Sequence, residues 1–207
     1  MFFQYARNFS VFRSFHGAPK VAEPGQNPVK ISFLIPAHRA GLLLPRTLEE
    51  VRSWLMDQYP GRFEILVIPN GNCQTEEKTS FEVLNRLMDT CPELRVVTPP
   101  TGRFGKGAAL RAGFEASRGE WIFFTDADLP YRLEFFDKAR EFLESGHAFV
   151  TGNRRLKNSY FSFPGSVLPF VYGRYCMGMF FNRVVSFLFG IRSRDTQAGI
   201  KAMSRQF

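Results

Sequence analysis

No uninterrupted apolar stretch of this 207-residue chain approaches the roughly 20 residues that a membrane-spanning helix needs. The longest candidate, Val167 to Ile191, is broken by Gly173, Arg174, Asn182 and Arg183. Cysteine is scarce. Cys73, Cys91 and Cys176 lie far apart, odd in number and without CxxC spacing, which argues against a zinc site and against a disulfide framework. Three reduced thiols fit a cytosolic compartment. His16, His38 and His147 have no ligand spacing, and neither GxSxG nor a Cys–His pairing suggests a nucleophile. Acids are outnumbered, 19 against 27 Lys and Arg, for a formal net charge of +8. A basic surface attracts the phosphates of nucleic acid, nucleotides or anionic lipid headgroups, and charge alone does not choose among them.

What is abundant is phenylalanine, 24 residues in a chain that is 44% hydrophobic. That is more than a core of this size needs, so part of it is available to a lipid, a partner or a ligand. The length suits one domain. Met1 to Ala22 carries Arg7, Arg13 and Lys20 and no acid, and Pro19, Pro24, Gly25 and Pro28 punctuate its end. Residues 1–28 therefore read as a flexible N-terminal tail and 29–207 as the folded domain.

From Lys30 the pattern alternates. Lys30–Ile35 is a short apolar run stopped by Pro36, which reads as a buried strand, and Leu44 to Gln58 has apolar residues at helical spacing. Phe63–Ile68 is a second strand, Glu76 to Thr90 a helix, and Leu94–Val97 a third strand. A glycine-bearing loop from Gly102 to Gly107 opens a helix from Ala108 to about Ser117. Trp121–Phe124 is a fourth strand, Arg132 to Leu143 a helix and Ala148–Thr151 a fifth strand. Such alternation implies a parallel or mixed sheet covered by helices, with ligands beyond the carboxyl ends of the strands.

Five polar constellations fall in that region or beyond it. Asp126-Ala127-Asp128 follows the fourth strand directly. On an extended backbone the i, i+2 spacing points both carboxylates to one side, where a hard divalent cation, Mg2+ or Mn2+, relieves their repulsion and holds a diphosphate. The residues alone leave a solvated acidic turn equally open. Lys106, in a loop whose backbone N–H groups open a helix, suits an anion, although neither GxxxxGK[ST] nor GxGxxG is matched. Gly152-Asn153-Arg154-Arg155 offers guanidinium groups to a phosphate, or is a plain basic loop. Asp195 to Lys201 reads as a helix N-cap or a turn. Arg174, Gly178 and Asn182 share one face of a helix that is apolar nearly all round, which makes it a core helix or a membrane-surface helix, core being the commoner outcome.

In this order, GKGAALRAGFEASRGEWIFFTDADLPY (Gly105–Tyr131), TGNRR (Thr151–Arg155) and RDTQAGIKAMSR (Arg194–Arg205) resemble the family 2 glycosyltransferases of the GT-A fold. The resemblance runs from about Lys30 to the C-terminus and is strongest to the polyprenyl-phosphate (dolichyl-phosphate) glucosyl- and mannosyltransferases. It implies an α/β, Rossmann-like, mixed and mostly parallel sheet flanked by helices, with a C-terminal aromatic helical segment. It implies an inverting, metal-dependent transfer of a hexose from UDP- or GDP-hexose to a polyprenyl phosphate, on the cytosolic membrane face.

By the same resemblance, Pro36 and Ala37 begin the first nucleotide-contacting loop, Asn70 stands near the base and Lys106 near the phosphates. Asp126 and Asp128 sit on ribose and metal–diphosphate, Arg154 on the acceptor phosphate with Arg174 as a second candidate, and Asp195 and Gln197 close the sugar side. Catalytic roles therefore fall to Asp126, Asp128, Asp195 and Arg154. The expected cofactor is Mg2+ or Mn2+. The expected partners are the nucleotide sugar, the lipid phosphate and a membrane surface touched by Tyr160 to Ile191, with no nucleic acid. His38-Arg39-Ala40 and Pro69-Asn70-Gly71-Asn72 depart from the family's Tyr-Asn-Glu and DDGS, and the chain is expected to be short at its C-terminus. Two other readings stay open: a sugar-hydroxyl acceptor with Asp195 as base, and a non-catalytic basic remnant that binds membrane or RNA.

Overall fold

The computed structural model describes residues 10–13, 28–38, 40, 43–69, 84, 87–100, 105–154, 168–190, 193 and 195–206. The strands are β1 (Ser10–Arg13), β2 (Ile31–Ala37), β3 (Phe63–Pro69), β4 (Leu94–Val96), β5 (Trp121–Phe124), β6 (His147–Thr151) and β7 (Lys201–Ser204). The helices are α1 (Leu44–Gln58), α2 (Lys106–Ala116), α3 (Glu134–Glu144) and α4 (Leu168–Phe189). They build a 7-stranded sheet in the order β1-β6-β7-β5-β2-β3-β4. Strands β2 to β5 are mutually parallel, β7 runs against both β5 and β6, and β1 runs against β6. The α/β, mixed and mostly parallel sheet expected from the sequence is therefore present.

Alternation on the strands builds two cores. Ile31, Phe33 and Ile35 of β2 face the layer of α1 and α3, whereas Leu34 faces α2 together with Leu66, Ile68, Ile122 and Phe124. Phe123 stacks on Phe136 at 4.7 Å, and Phe33 meets Phe136 edge-on at 5.0 Å. Helix α1 presents Leu44, Leu48, Val51 and Leu55 to this core, the i, i+4, i+7, i+11 stripe that its sequence spells.

Several boundaries differ from the expectation. Strand β2 does not stop at Pro36 but pairs on through Pro36 and Ala37 with Ile68 and Pro69 of β3. Pairing with β5 has already ended at Leu34, so the missing Pro N–H falls where β2 has a partner on one side only. Ser10–Arg13, within the segment read as a tail, forms the edge strand β1 on β6. Lys201, the last residue of the stretch read as a cap or turn, opens strand β7 (Lys201–Ser204), which wedges between β5 and β6. Most of the helix expected from Glu76 to Thr90 lies outside the described residues.

The amino ends of β2 and β3 are tied by buried polar groups. Ser32 Oγ donates to Glu64 at 2.7 Å, Arg95 donates to the same carboxylate at 2.5 Å, and the backbone N–H of Arg118 donates to it at 2.6 Å. The opposite, carboxyl ends of the strands are left to the site. Helix α4 stands apart. Tyr172, Met177, Phe180, Phe187, Leu188 and Phe189 are each more than half exposed, Phe187 at 88%. It is no core helix, and no described helix is long and apolar enough to cross a membrane.

Candidate active site

Strand β5 delivers Asp126 and Asp128, but not on the extended backbone expected of them. Residues 126–129 form a turn closed by the Leu129 N–H donating to the Asp126 carbonyl at 3.0 Å, with Leu129 at φ 42. A left-handed non-glycine residue costs of order 1–3 kcal/mol and needs its surroundings to hold it. Thr47 of α1 does so by donating its hydroxyl to the Ala127 carbonyl at 2.7 Å. One residue earlier, Thr125 Oγ1 is buried with no hydrogen-bond partner among the described residues, a further cost accepted at this strand end.

Gly105, at φ 97, turns the chain into α2 so that Lys106, its first residue, forms an ion pair with Asp126. The positive charge that paired acids call for is thus supplied by the loop the sequence had offered to an anion. On the other flank of Asp126 lies Gly199, whose N–H donates to Tyr131 Oη at 3.2 Å. A Cβ at Gly199 would overlap the Asp126 carboxylate. We expect Gly199→Ala to displace that carboxylate and cut transfer about hundredfold, as an ångström-scale misplacement does. Turnover and a thermal melt on one preparation check this. A fully active Gly199→Ala protein would release Asp126 from its assigned place.

Arg154 follows β6 and Asp195 precedes β7, and the antiparallel β6–β7 pairing brings them together. The guanidinium of Arg154 grips the carboxylate with two bonds, Nε–H to Oδ2 at 2.8 Å and Nη2–H to Oδ1 at 2.9 Å. The backbone N–H of Arg154 adds a third at 3.0 Å, and the Gln197 N–H a fourth at 3.1 Å. Asp195 is buried, and burial works against its charge. The Arg154 guanidinium and the backbone donors nevertheless hold the carboxyl below its ordinary value, and Asp195 in turn raises Arg154.

Lys201, the first residue of β7, is the residue that sequence reading passed over within DTQAGIK. Its ammonium donates to the Ala198 carbonyl at 2.5 Å and lies 5.2 Å from the centre of the Phe124 ring. Burial, with the charge of Lys106, lowers it to about 8. Lys106, Lys201 and Arg154 therefore surround Asp126 and Asp195 with positive potential. On its other side Asp128 borders a cavity of about 1110 Å³ between α1 and residues 129–134. Glu49, Glu50, Asp57 and Glu134 outnumber Arg46 and Arg132 there, and both arginines are paired to acids of the same wall. An anion is drawn to the lysine side instead.

Of the remaining expected residues, Pro36 and Ala37 lie buried at the carboxyl end of β2. Gln197 is exposed beside Asp195, and Arg174 is exposed on α4. Asn70 and Arg155 lie outside the described residues. Asp126 and Asp128 offer hard carboxylate oxygens, and among the described residues no third acid, His or Cys groups with them. Two carboxylates fit Mg2+ or Mn2+, which keep waters and substrate phosphates in their shell.

A family model of glycosyl transferase family 2 matches residues 32–203, well over half of the chain. The chain belongs to glycosyl transferase family 2. Among its relatives, dolichyl-phosphate beta-glucosyltransferase ALG5A of Trichomonas vaginalis is 28% identical over 197 residues, covering 91% of this chain and 56% of that protein. The human dolichyl-phosphate beta-glucosyltransferase is 27% identical, covering 87% of this chain and 56% of that protein. The chain thus spans just over half the length of these curated relatives. Mannosyl-3-phosphoglycerate synthase from Rubrobacter xylanophilus shares the fold at a TM-score of 0.52 and 16% identity, over 86% of this chain and 53% of that one. The family 2 assignment and the GT-A fold are those the motifs from Gly105 to Arg205 implied.

Proposed function

We propose that this chain carries the donor and acceptor sites of an inverting hexosyltransferase that uses UDP- or GDP-hexose and a polyprenyl phosphate at the cytosolic membrane face. The observation that carries this reading is the locked state of Asp195. A sugar-hydroxyl acceptor needs a base, and Asp195 is the carboxylate assigned to that task. Its lowered pKa and four hydrogen bonds make it a poor proton acceptor. A phosphate acceptor needs no base, because its second pKa near 6 leaves it largely dianionic at neutral pH. One phosphate oxygen attacks the anomeric carbon, the bond from that carbon to the diphosphate breaks with inversion, and no proton moves. The relatives' names support the same acceptor class.

Within this scheme Arg154 retains N–H donors beyond those given to Asp195 and orients the acceptor phosphate, while Lys106 and Lys201 face the departing diphosphate. A divalent ion held by Asp126 and Asp128 supplies Lewis-acid stabilisation of that diphosphate when bound. The rate of transfer is expected to rise with pH through about 6 as the acceptor becomes dianionic. It falls above about 8, where Lys201 loses its proton. A pH–rate profile with vesicle-borne polyprenyl phosphate checks this. A rate that stays level through pH 6 and falls only below 3.8, the ordinary value for Asp195, would contradict the phosphate acceptor and favour Asp195 as the base.

Helix α4 supports a membrane acceptor. It contains no acid, exposes Arg174 and Arg183, and leaves in water side chains worth roughly 1.5–3 kcal/mol each when buried. An apolar face flanked by arginines on a chain of net charge +8 suits an anionic lipid surface. Wild type is expected to float with anionic vesicles, and a Phe180→Ser/Phe187→Ser variant to stay behind with an unchanged melt. Self-association of wild type without flotation would assign the face to a protein partner instead.

A further inference from the structure

We infer that Asn182 is a positioning residue, which from the exposed helix α4 holds the turn that presents Asp195 to Arg154. Asn182 is the one buried residue of a stretch, residues 171–189, that is otherwise exposed or half-buried. Its Oδ1 accepts two hydrogen bonds from Thr196, from the backbone N–H at 2.8 Å and from the hydroxyl at 2.9 Å. Its Nδ2 donates to the Ser193 carbonyl at 3.0 Å. Ser193 and Thr196 flank Asp195, whose own N–H donates to Ser193 Oγ at 3.3 Å. The backbone on both sides of the carboxylate is therefore pinned by one side chain from another element.

The chemistry requires an amide. A donor and an acceptor must sit on one short planar group, because a carbonyl is met on one side and an N–H and a hydroxyl on the other. A carboxylate at 182 keeps the Thr196 bonds and turns an oxygen toward the Ser193 carbonyl. An apolar residue removes the partner of the buried Ser193 carbonyl and of two half-buried Thr196 donors. None of these contacts touches Arg154. Asn182 acts through Asp195, and the placement of α4 and the aim of the Arg154 guanidinium are thereby joined. The catalytic consequence rests on the reading of Arg154 as the acceptor-phosphate group.

The test uses the full chain as wild type, Asn182→Ala, Asp195→Asn and the double variant. Exchange of the Arg154 Nε–H with water, its NMR signal assigned with Arg154→Lys, reports the ion pair without any activity. Asn182→Ala is expected to speed that exchange at least tenfold and to raise the acceptor KM about tenfold, with the donor KM held within about twofold, the loss of roughly one charge-assisted bond. Two residues acting on one feature are not additive, so the double variant is expected to be no worse than Asp195→Asn. An unchanged Arg154 signal in Asn182→Ala, equal loss of donor and acceptor binding, or losses that multiply in the double variant would overturn the inference. If Asn182→Ala does not fold, Asn182→Asp is read in the same way through the lost Ser193 contact. A wild type that ignores polyprenyl phosphate would sink the acceptor reading and leave the Nε–H readout standing.

Discussion

Asp128→Asn is expected to reduce transfer by more than hundredfold while leaving the melting temperature where it was. Asp128 is exposed, and among the described residues no hydrogen bond or ion pair to it is seen, so its charge does nothing for the fold. Placed four residues after β5, two beyond an acid already matched by Lys106, it adds a hard oxygen ligand that only a bound cation would use. An asparagine there keeps the shape and removes the charge. Turnover, divalent-ion titration and a melt on the same sample decide the matter. Near wild-type turnover by Asp128→Asn in a chelating buffer would remove Asp126 and Asp128 from the metal role.

The second large effect concerns Arg154. Arg154→Lys keeps a positive charge and loses the fork, so it is expected to raise the acceptor KM by roughly ten- to more than hundredfold, the ~1.5–3 kcal/mol of a charge-assisted bond. The donor KM is expected to stay within about twofold. Arg154→Ala does more, because Asp195 has a side chain only 1% exposed and loses its one ion-pair partner among the described residues. Breaking such a pair costs roughly 3–5 kcal/mol. The pH dependence has a definite sign. Asp195 has a lowered pKa, so in wild type the pair contributes fully above the ordinary value of 3.8 and is lost as pH falls through the lower folded value. In Arg154→Ala the backbone donors of residue 154 and Gln197 remain but the guanidinium no longer opposes burial, so the carboxyl rises and the acid transition moves to higher pH. If Arg154→Lys weakens donor binding alone, Arg154 belongs to the nucleotide site.

The parts of this fold that the sequence spells are those governed by local pattern. Trp121–Phe124 was legible as a strand because four apolar residues give way abruptly to the polar Thr125 and Asp126, and α1 was legible from its spacing. Strand β7 was not. KAMS has no β-branched residue and no alternation, and its pairing comes from β5 and β6, far away in the chain. The same distance hid the two ion pairs. Lys106 and Asp126 are 20 residues apart, and Arg154 and Asp195 are 41 apart, so their acids and bases could be named but not matched. The locked carboxylate follows from that second pairing, and no motif reveals it. Periodicity could not decide α4 either, because a helix apolar all round looks the same whether a core or a lipid surface covers it.

The most direct measurement is nucleoside diphosphate release from UDP- and GDP-hexoses, with and without polyprenyl phosphate in anionic vesicles, in Mg2+ or Mn2+ and in chelator. The account predicts release from one nucleotide class that needs both the metal and the lipid phosphate, with the sugar recovered in the lipid phase at one hexose per diphosphate released. Release that is indifferent to the lipid phosphate and follows an added sugar hydroxyl, or no release under any pairing while the protein still binds vesicles, would contradict it.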